Sequence, residues 1–169
     1  MVQNISGNVK FSPLFIHSFP LLAPHRLSDS EKFNIRFSQP SEMTDIADKL
    51  RFHRYKKALL QSDVAAYIGV DRATYSHYEE IGRDYYPIEH MKKLAELYGV
   101  PVTELLDEFN LFLYNDQGKQ IRDIRNRLGL SRKEYAKIID VPLGSLKKWE
   151  LNTVRIFKST WERHFKGHD

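Results

Sequence analysis

The amino-acid sequence predicts an all-α protein, and three observations support that fold class. Apolar residues recur at helical spacing in segments that are bounded by capping residues. The alternation of apolar and polar residues that is typical of strands is missing. One stretch of the chain is also repeated, with the same helix signals in both copies. Short, capped, amphipathic helices of this kind pack into small helical bundles.

Five helices are predicted after Met43, and most carry a recognisable start or stop signal. The predicted segments are residues 45–57, 61–68, 72–80, 86–99 and 104–114. Asp71 and Thr103 are suitable N-cap residues for the third and fifth helices. Gly82 and Gly99 suit the left-handed position that closes the third and fourth.

The composition excludes several functional classes. The 169 residues include no Cys, which rules out a disulfide scaffold, a thiolate zinc site and a cysteine nucleophile. No apolar run reaches the roughly 20 residues that cross a bilayer, so no membrane contact is expected. His164 and His168 have helical i,i+4 spacing but no third ligand nearby, and no phosphate loop or Ser-His-Asp pattern is present. We therefore expect neither an enzyme nor a metal- or cofactor-binding protein.

Charge is distributed unevenly along the chain. The net charge is +4, but residues 110–169 contain 13 Lys and Arg against 7 Asp and Glu, whereas residues 43–109 contain 9 against 12. The basic character is concentrated in the last third, which is compatible with an anionic partner.

Residues 1–42 differ from the rest of the chain. Pro, Ser and Asn are scattered among apolar residues with no helical or strand period, which predicts a disordered N-terminal arm. The arm lacks the charged start, apolar run and small-residue site of a signal peptide, so a cytoplasmic protein is expected. Because Met43 directly precedes the first periodic segment, translation that begins at Met43 remains an alternative.

The repeat has a constant offset of 71 residues. It relates Leu50 to Ile121, Arg51 to Arg122, Arg54 to Arg125, Leu59 to Leu130, Ala65 to Ala136, Val70 to Val141, Thr74 to Ser145, Tyr78 to Trp149 and Glu79 to Glu150. A period this long indicates a duplicated small domain. The predicted organisation is the arm at 1–42, a first domain at 43–114 and a second, shorter domain at 117–169.

The spacing within each copy is typical of a helix-turn-helix. A small residue lets the second helix cross close to the first, a tight turn joins them, and apolar residues anchor the turn and the second helix. These residues are Ala65, Gly69, Val70 and Tyr75 in the first copy and Ala136, Val141 and Leu146 in the second. Tyr78 and Trp149 occupy inward positions and are predicted to be core residues. The outward side chains of the second helix are free to enter a DNA major groove.

Both copies resemble a known family. "LLQSDVAAYIGVDRATYSHYEE" followed by "PIEHMKKLAELYGVPVTELL" resembles the Cro and lambda-repressor type of helix-turn-helix domain, also called Xre-like. "IRDIRNRLGLSRKEYAKIIDVPLGSLKKWE" is similar to the same family. The resemblance implies two tandem lambda-repressor-like helix-turn-helix domains and double-stranded DNA as the partner.

The sequence departs from this family at several positions. Leu60 stands where a Ser or Thr cap is usual, and Asp140 replaces the turn glycine of the second copy. Leu143 and Gly144 occupy the outward start of the second recognition helix, where polar residues are common. The second copy is therefore expected to bind the phosphate backbone more than to recognise bases.

The resemblance also implies which residues face DNA. Base-contacting positions are Gln61, Arg72, Ala73, Thr74, Ser76 and His77 in the first copy and Arg132, Leu143, Ser145, Lys147 and Lys148 in the second, with Arg132 and Lys148 better placed for phosphates. Phosphate-contacting positions are Arg54, Lys57, Ser62, Arg125, Ser131 and Lys133.

The resulting functional hypothesis is a sequence-specific transcriptional regulator of prokaryotic or phage type, associated with the nucleoid, that acts by occupying an operator. One alternative is a protein-interaction module in which the acidic first copy serves for dimerisation. Another is an antitoxin-like accessory protein.

The apolar strip Leu111–Tyr114 bears on the oligomeric state. It either packs against the second copy or forms a homodimer contact, and the short linker after it favours packing within the chain.

Overall fold

The structure is a computed structural model that describes residues 28–37 and 42–167, and these residues form eleven helices and no strand. The helices are α1 (Asp29–Arg36), α2 (Ile46–Lys56), α3 (Gln61–Ile68), α4 (Arg72–Tyr78), α5 (Ile88–Tyr98), α6 (Val102–Leu105), α7 (Glu108–Tyr114), α8 (Gln117–Arg127), α9 (Arg132–Ile138), α10 (Leu143–Glu150) and α11 (Lys158–His164). The predicted all-α class is confirmed for the described part of the chain.

Local signals fix the ends of most helices close to their predicted positions. Asp71 caps α4 by accepting a hydrogen bond from the Thr74 backbone N–H, as predicted. Gly69 and Gly99 close α3 and α5 with φ of 83° and 74°, a region that costs glycine no steric strain. Helix α4 ends at Tyr78, two residues earlier than predicted, and Gly82 lies in the loop beyond it.

The predicted helix 104–114 is wrong, because the chain forms two short helices there. The Asp107 carboxylate accepts a hydrogen bond from the Asn110 N–H at 2.7 Å and caps α7, which interrupts the helix between Leu105 and Glu108. Thr103 lies inside α6, and Pro101 takes the N-cap position. Asp107, a capping residue within a run of helically spaced apolar residues, therefore separates α6 from α7.

The expectation of a disordered arm does not hold for residues 29–36, which form α1. Ser28 and Glu31 make a reciprocal capping box at its start, which satisfies two backbone N–H groups. Phe33 packs edge-on against Tyr55 of α2, with ring centroids 5.5 Å apart. The prediction of disorder for residues 1–27 and 38–41 concerns residues that lie outside the described ranges.

Two clusters of buried side chains form the core. The first cluster joins α2 through α6, with Leu50, Tyr75 and Leu94 fully buried. The second joins α7 through α11, with Ile121, Leu146 and Ile156 fully buried. Each cluster forms the core of one copy of the repeat.

Helix α7 contributes to the second cluster, although its sequence follows directly on the first copy. Phe109 and Phe112 lie against Trp161, with ring centroids 5.5 and 6.1 Å apart, and Phe112 also stacks on Phe165. Leu111, on the other side of α7, packs against the first cluster. The predicted packing of the strip within the chain is confirmed, and Phe112 is 93% removed from solvent.

The helices of the two copies pack in the same way. Helix α3 packs on α4 and α9 on α10, while α2 and α8 pack against α4 and α10. In each copy, a first helix therefore supports a pair of short helices joined by a tight turn. None of the helices in the described ranges is both long and apolar enough to cross a membrane.

Candidate nucleic-acid interface

The turn between the paired short helices has the same geometry in both copies. Gly69 has a φ of 83°, and the next residue, Val70, donates its N–H to the Ala65 carbonyl at 3.0 Å. In the second copy Val141 donates to Ala136 at 2.9 Å, after Asp140 with a φ of 51°. Aspartate tolerates this left-handed conformation better than most residues, so the turn forms without glycine.

Buried aromatic and aliphatic side chains hold the second helix of each pair. Tyr75 is fully buried and its hydroxyl lies 2.8 Å from that of Tyr98, while Leu146 takes the matching place in the second copy. Burial raises the pKa of Tyr75, which therefore stays neutral. Tyr78 and Trp149 are buried, so their assignment to the core is confirmed.

Arg54 is buried, and its predicted role as a phosphate contact is wrong. Its guanidinium makes two hydrogen bonds to Glu79, at 2.6 and 2.7 Å, and a third to the Leu59 carbonyl at 3.2 Å. Burial opposes the charge, but these bonds and the charge of Glu79 outweigh it and raise the pKa of Arg54. Arg51 donates to the Glu79 carbonyl, which closes the end of α4.

The second copy repeats this arrangement, so the phosphate assignment of Arg125 is also wrong. Arg125 donates to Glu150 at 2.7 Å and to the Leu130 carbonyl at 2.9 Å. Arg132, predicted to face DNA, is half-buried and donates to the other Glu150 oxygen. Burial alone would raise the pKa of Glu150, but the bonds from both arginines outweigh it and lower that pKa.

The first copy presents an exposed face on α4. Arg72, Ala73 and His77 are exposed. Thr74 is half-buried and donates its hydroxyl to Asp71 at 2.6 Å; this bond lowers the pKa of Asp71. His77 lies 2.9 Å from Glu80.

The remaining predicted positions of the first copy lie around this face. Ser76 is half-buried on α4, Lys57 is exposed at the end of α2, and Ser62 is exposed in the first turn of α3. Gln61 is half-buried and donates to Glu79 at 3.0 Å, so the buried carboxylate also orients the first residue of α3.

The second copy offers a more basic and more apolar face. Lys147, Lys148 and Lys133 are exposed, and so is Leu143, 48% of whose surface is accessible. Ser145 is half-buried. Ser131 is exposed, but its hydroxyl already accepts the Glu134 N–H and caps α9.

Sequence reasoning missed two buried amides that position the loops after α4 and α10. Asn110 bonds the backbone of Asp84 and Tyr86, and Gln117 bonds that of Val154 and Ile156. A single Asn or Gln in a helix carries no periodic signal, so nothing in the sequence distinguishes these two. His164 is half-buried, whereas His168 lies beyond the described residues.

Comparison with known proteins agrees with this geometry for the first copy. Residues 53–105 match the helix-turn-helix family model. A stretch of 62 residues, 37% of this chain, is 40% identical to the cryptic phage CTXphi transcriptional repressor RstR of Vibrio cholerae. The match spans 55% of that repressor's length. No solved structure matches the chain at a significant level.

Proposed function

We propose that this protein is a sequence-specific DNA-binding transcriptional regulator of phage or other prokaryotic type, and that it acts by occupying an operator. The observation that carries the proposal is the α3–turn–α4 unit within the segment that matches the helix-turn-helix family. Its second helix is anchored by buried Tyr75 and Tyr78 and leaves Arg72, Ala73 and His77 exposed. A rigid helix with an exposed polar start is suited to the major groove.

The proposed chemistry assigns different tasks to different side chains. Arg72 pairs with a guanine through two parallel hydrogen bonds, Ala73 contacts a thymine methyl group, and His77 donates to a base edge or a phosphate. Gln61 and Ser76 flank this surface. Lys57 and Ser62 contact phosphates and fix the position of the helix.

The proposal extends to a second helix-turn-helix unit formed by α8, α9 and α10. Its support is the same turn geometry, the same buried arginine–glutamate pair and the same 71-residue offset. Exposed Lys133, Lys147 and Lys148 suit the phosphate backbone, whereas Leu143 and Ser145 offer little base recognition. Because Phe109 and Phe112 pack in the second core, we place the unit boundary after Leu106.

We propose that the protein is cytoplasmic and associated with the nucleoid, where such operators lie. Base contacts and phosphate contacts can be distinguished by experiment. Genomic DNA that binds the purified protein is sequenced to identify the operator, and affinities are then measured on that duplex and on a random duplex.

Arg72→Ala is expected to weaken operator binding by about 1–3 kcal/mol and to leave random-DNA binding nearly unchanged. Lys148→Ala is expected to weaken both by a similar factor and to reduce the salt slope by about one charge. Arg163→Ala, an exposed arginine on α11, serves as the matched control. Unchanged operator affinity in a folded Arg72→Ala variant contradicts the assignment of α4 as the recognition helix.

A further inference from the structure

The loops that follow α4 and α10 are held in the same way. The Asn110 side-chain oxygen accepts the Tyr86 N–H at 3.1 Å, and its amide donates to the Asp84 carbonyl at 3.0 Å. The Gln117 oxygen accepts the Ile156 N–H at 3.1 Å, and its amide donates to the Val154 carbonyl at 2.8 Å. Residues 84 and 86 thus correspond to 154 and 156, an offset of 70.

The same offset continues into the following helices. Helix α5 begins after Pro87 and α11 begins after Phe157. Met91 and Trp161, four residues further on, are both buried in their respective cores. The counterpart of Tyr85 in the second copy is therefore Arg155.

These counterparts are in contact. The Arg155 guanidinium lies over the Tyr85 ring, 3.4 Å from its centroid. Beside this pair, Lys158, the first residue of α11, lies 3.9 Å from Asp84 and 3.4 Å from Asp107. The segment after α4 thus meets the segment after α10, its own equivalent.

Contact between counterparts limits how the two copies are related. If one copy were a translated image of the other, every residue would lie about 20–25 Å, the width of a domain this small, from its counterpart. A contacting pair of counterparts instead requires a rotation about an axis that passes close to Tyr85 and Arg155. A segment that contacts its own equivalent is what a two-fold, isologous interface requires at its axis.

We propose that a single chain presents its two helix-turn-helix units about an internal pseudo-two-fold axis. It therefore binds a duplex with two inverted half-sites, one chain per operator. This inference rests on the proposed DNA-binding function. Each recognition helix is followed along the chain by the residue at the axis, since Tyr85 lies in the loop after α4 and Arg155 in the loop after α10. Two helices that enter successive major grooves on one face set a half-site spacing of about one helical turn.

The two half-sites are unequal, because the two faces differ at equivalent positions. With the 71-residue offset of the helix-turn-helix, Leu143 takes the place of Arg72 and Gly144 that of Ala73. An arginine can discriminate guanine, whereas leucine and glycine offer no hydrogen bond. One half-site is therefore strictly specified, and the other tolerates substitution.

The inference is tested by selecting binding sites from a random duplex library with the full chain and measuring the mass of the complex. We expect two inverted half-sites of unequal information content and one chain per duplex. A direct repeat, a lone half-site, or two chains on one site overturns the arrangement while leaving the DNA-binding function intact. No enrichment of any sequence refutes the proposed function, and this inference with it.

A spacing series sharpens the test. Insertion of 5 bp between the half-sites rotates one of them to the opposite face, and we expect affinity to fall about a hundredfold or more, since the second contact is no longer intramolecular. Arg155→Ala, which removes the contact at the axis, is expected to reduce this discrimination between spacings, whereas Arg163→Ala retains it. Equal affinity for both spacings in the wild-type chain overturns the rigid two-fold arrangement.

Discussion

Glu79 and Glu150 are carboxylates inside the protein, and each is held by an arginine from the first helix of its own unit. Arg54 and Arg125 provide these partners, and further donors from Gln61 and Arg132 complete the two sites. Loss of one member of such a pair leaves a buried charge without compensation, which costs far more than loss of an exposed pair.

Glu79→Ala is therefore expected to lower the free energy of unfolding by about 3–5 kcal/mol, because the Arg54 guanidinium stays buried without its carboxylate. Denaturant unfolding followed by circular dichroism measures this change. Glu80→Ala is the control: Glu80 is exposed and contacts only exposed His77 among the described partners, so its loss should stay within about 0.5 kcal/mol. Equal losses in the two variants contradict a structural role for the buried pair.

Glu150 predicts how stability responds to acid. Its pKa is lowered in the folded chain, so the unfolded chain takes up the proton first as the pH falls. The stabilisation is complete above the ordinary Glu pKa of about 4.3 and is lost as the pH drops toward the folded value.

We expect the free energy of unfolding of Glu150→Gln to decline less than that of the wild type between about pH 5 and pH 3. Denaturant titrations at each pH measure the decline. Glu162→Gln, at an exposed position, should keep the wild-type decline. The same slope in both variants excludes Glu150 as the source.

The sequence identified Arg54 and Arg125 as equivalent residues but assigned them the wrong role. A basic residue on a helix can face solvent or a buried carboxylate, and helical periodicity does not separate the two. The useful signal lay in Glu79 and Glu150, which keep the same 25-residue separation from their arginines. Two oppositely charged positions that recur with one separation in both copies of the repeat indicate that each pair is in contact.

At the scale of the helices, capping and turn residues were predictable, because their signals are local. Gly69, Gly99 and Asp71 act as their residue types predict. The break before α7 was missed because Asp107 competes with an apolar period that continues through it. The sequence left two alternatives for the strip Leu111–Tyr114, packing against the second copy or a homodimer contact. How much of α7 is buried in the second core depends on tertiary contacts, which helical periodicity does not reveal.

Helices α8 and α10 approach closely at Gly118. Alanine there is expected to destabilise the protein, although alanine has a higher helix propensity than glycine. A Cβ atom on Gly118 would lie 2.5 Å from the Glu150 carbonyl oxygen. Gly118→Ala is therefore expected to destabilise the fold by about 1–3 kcal/mol, although alanine favours helices by up to about 1 kcal/mol.

Gly144→Ala is the matched comparison, since a Cβ there meets nothing within 4 Å. It should raise the free energy of unfolding by about 0.5–1 kcal/mol. Thermal and denaturant unfolding of both variants measure the difference. Stabilisation by Gly118→Ala would mean that the two helices do not approach as described.

At the scale of the whole molecule, the two cores are not divided where the sequence suggested. The short linker after Tyr114 resembles a domain boundary, yet Phe109 and Phe112 before it belong to the second core. A fragment of residues 107–169 is expected to unfold cooperatively, whereas a fragment of residues 117–169 lacks both rings, each worth about 3–5 kcal/mol.

Trp161 fluorescence, recorded with Trp149→Phe in both fragments so that a single indole emits, distinguishes the two fragments. Its ring contacts both phenylalanines, so emission should be that of a buried indole in the longer fragment and of a solvated indole in the shorter one. If the two fragments unfold with equal cooperativity and show equal emission, the domain boundary lies in the linker after Tyr114.

Arg72 and Leu143 occupy the same position of the two units, yet separate codons encode them. In an assembly of identical chains, every mutation appears on both faces at once. Here a mutation alters one face and leaves its counterpart untouched. If each unit recognises one half-site, as we propose, one unit can acquire a new preference while the other preserves the old one, and selection acts on the two units independently.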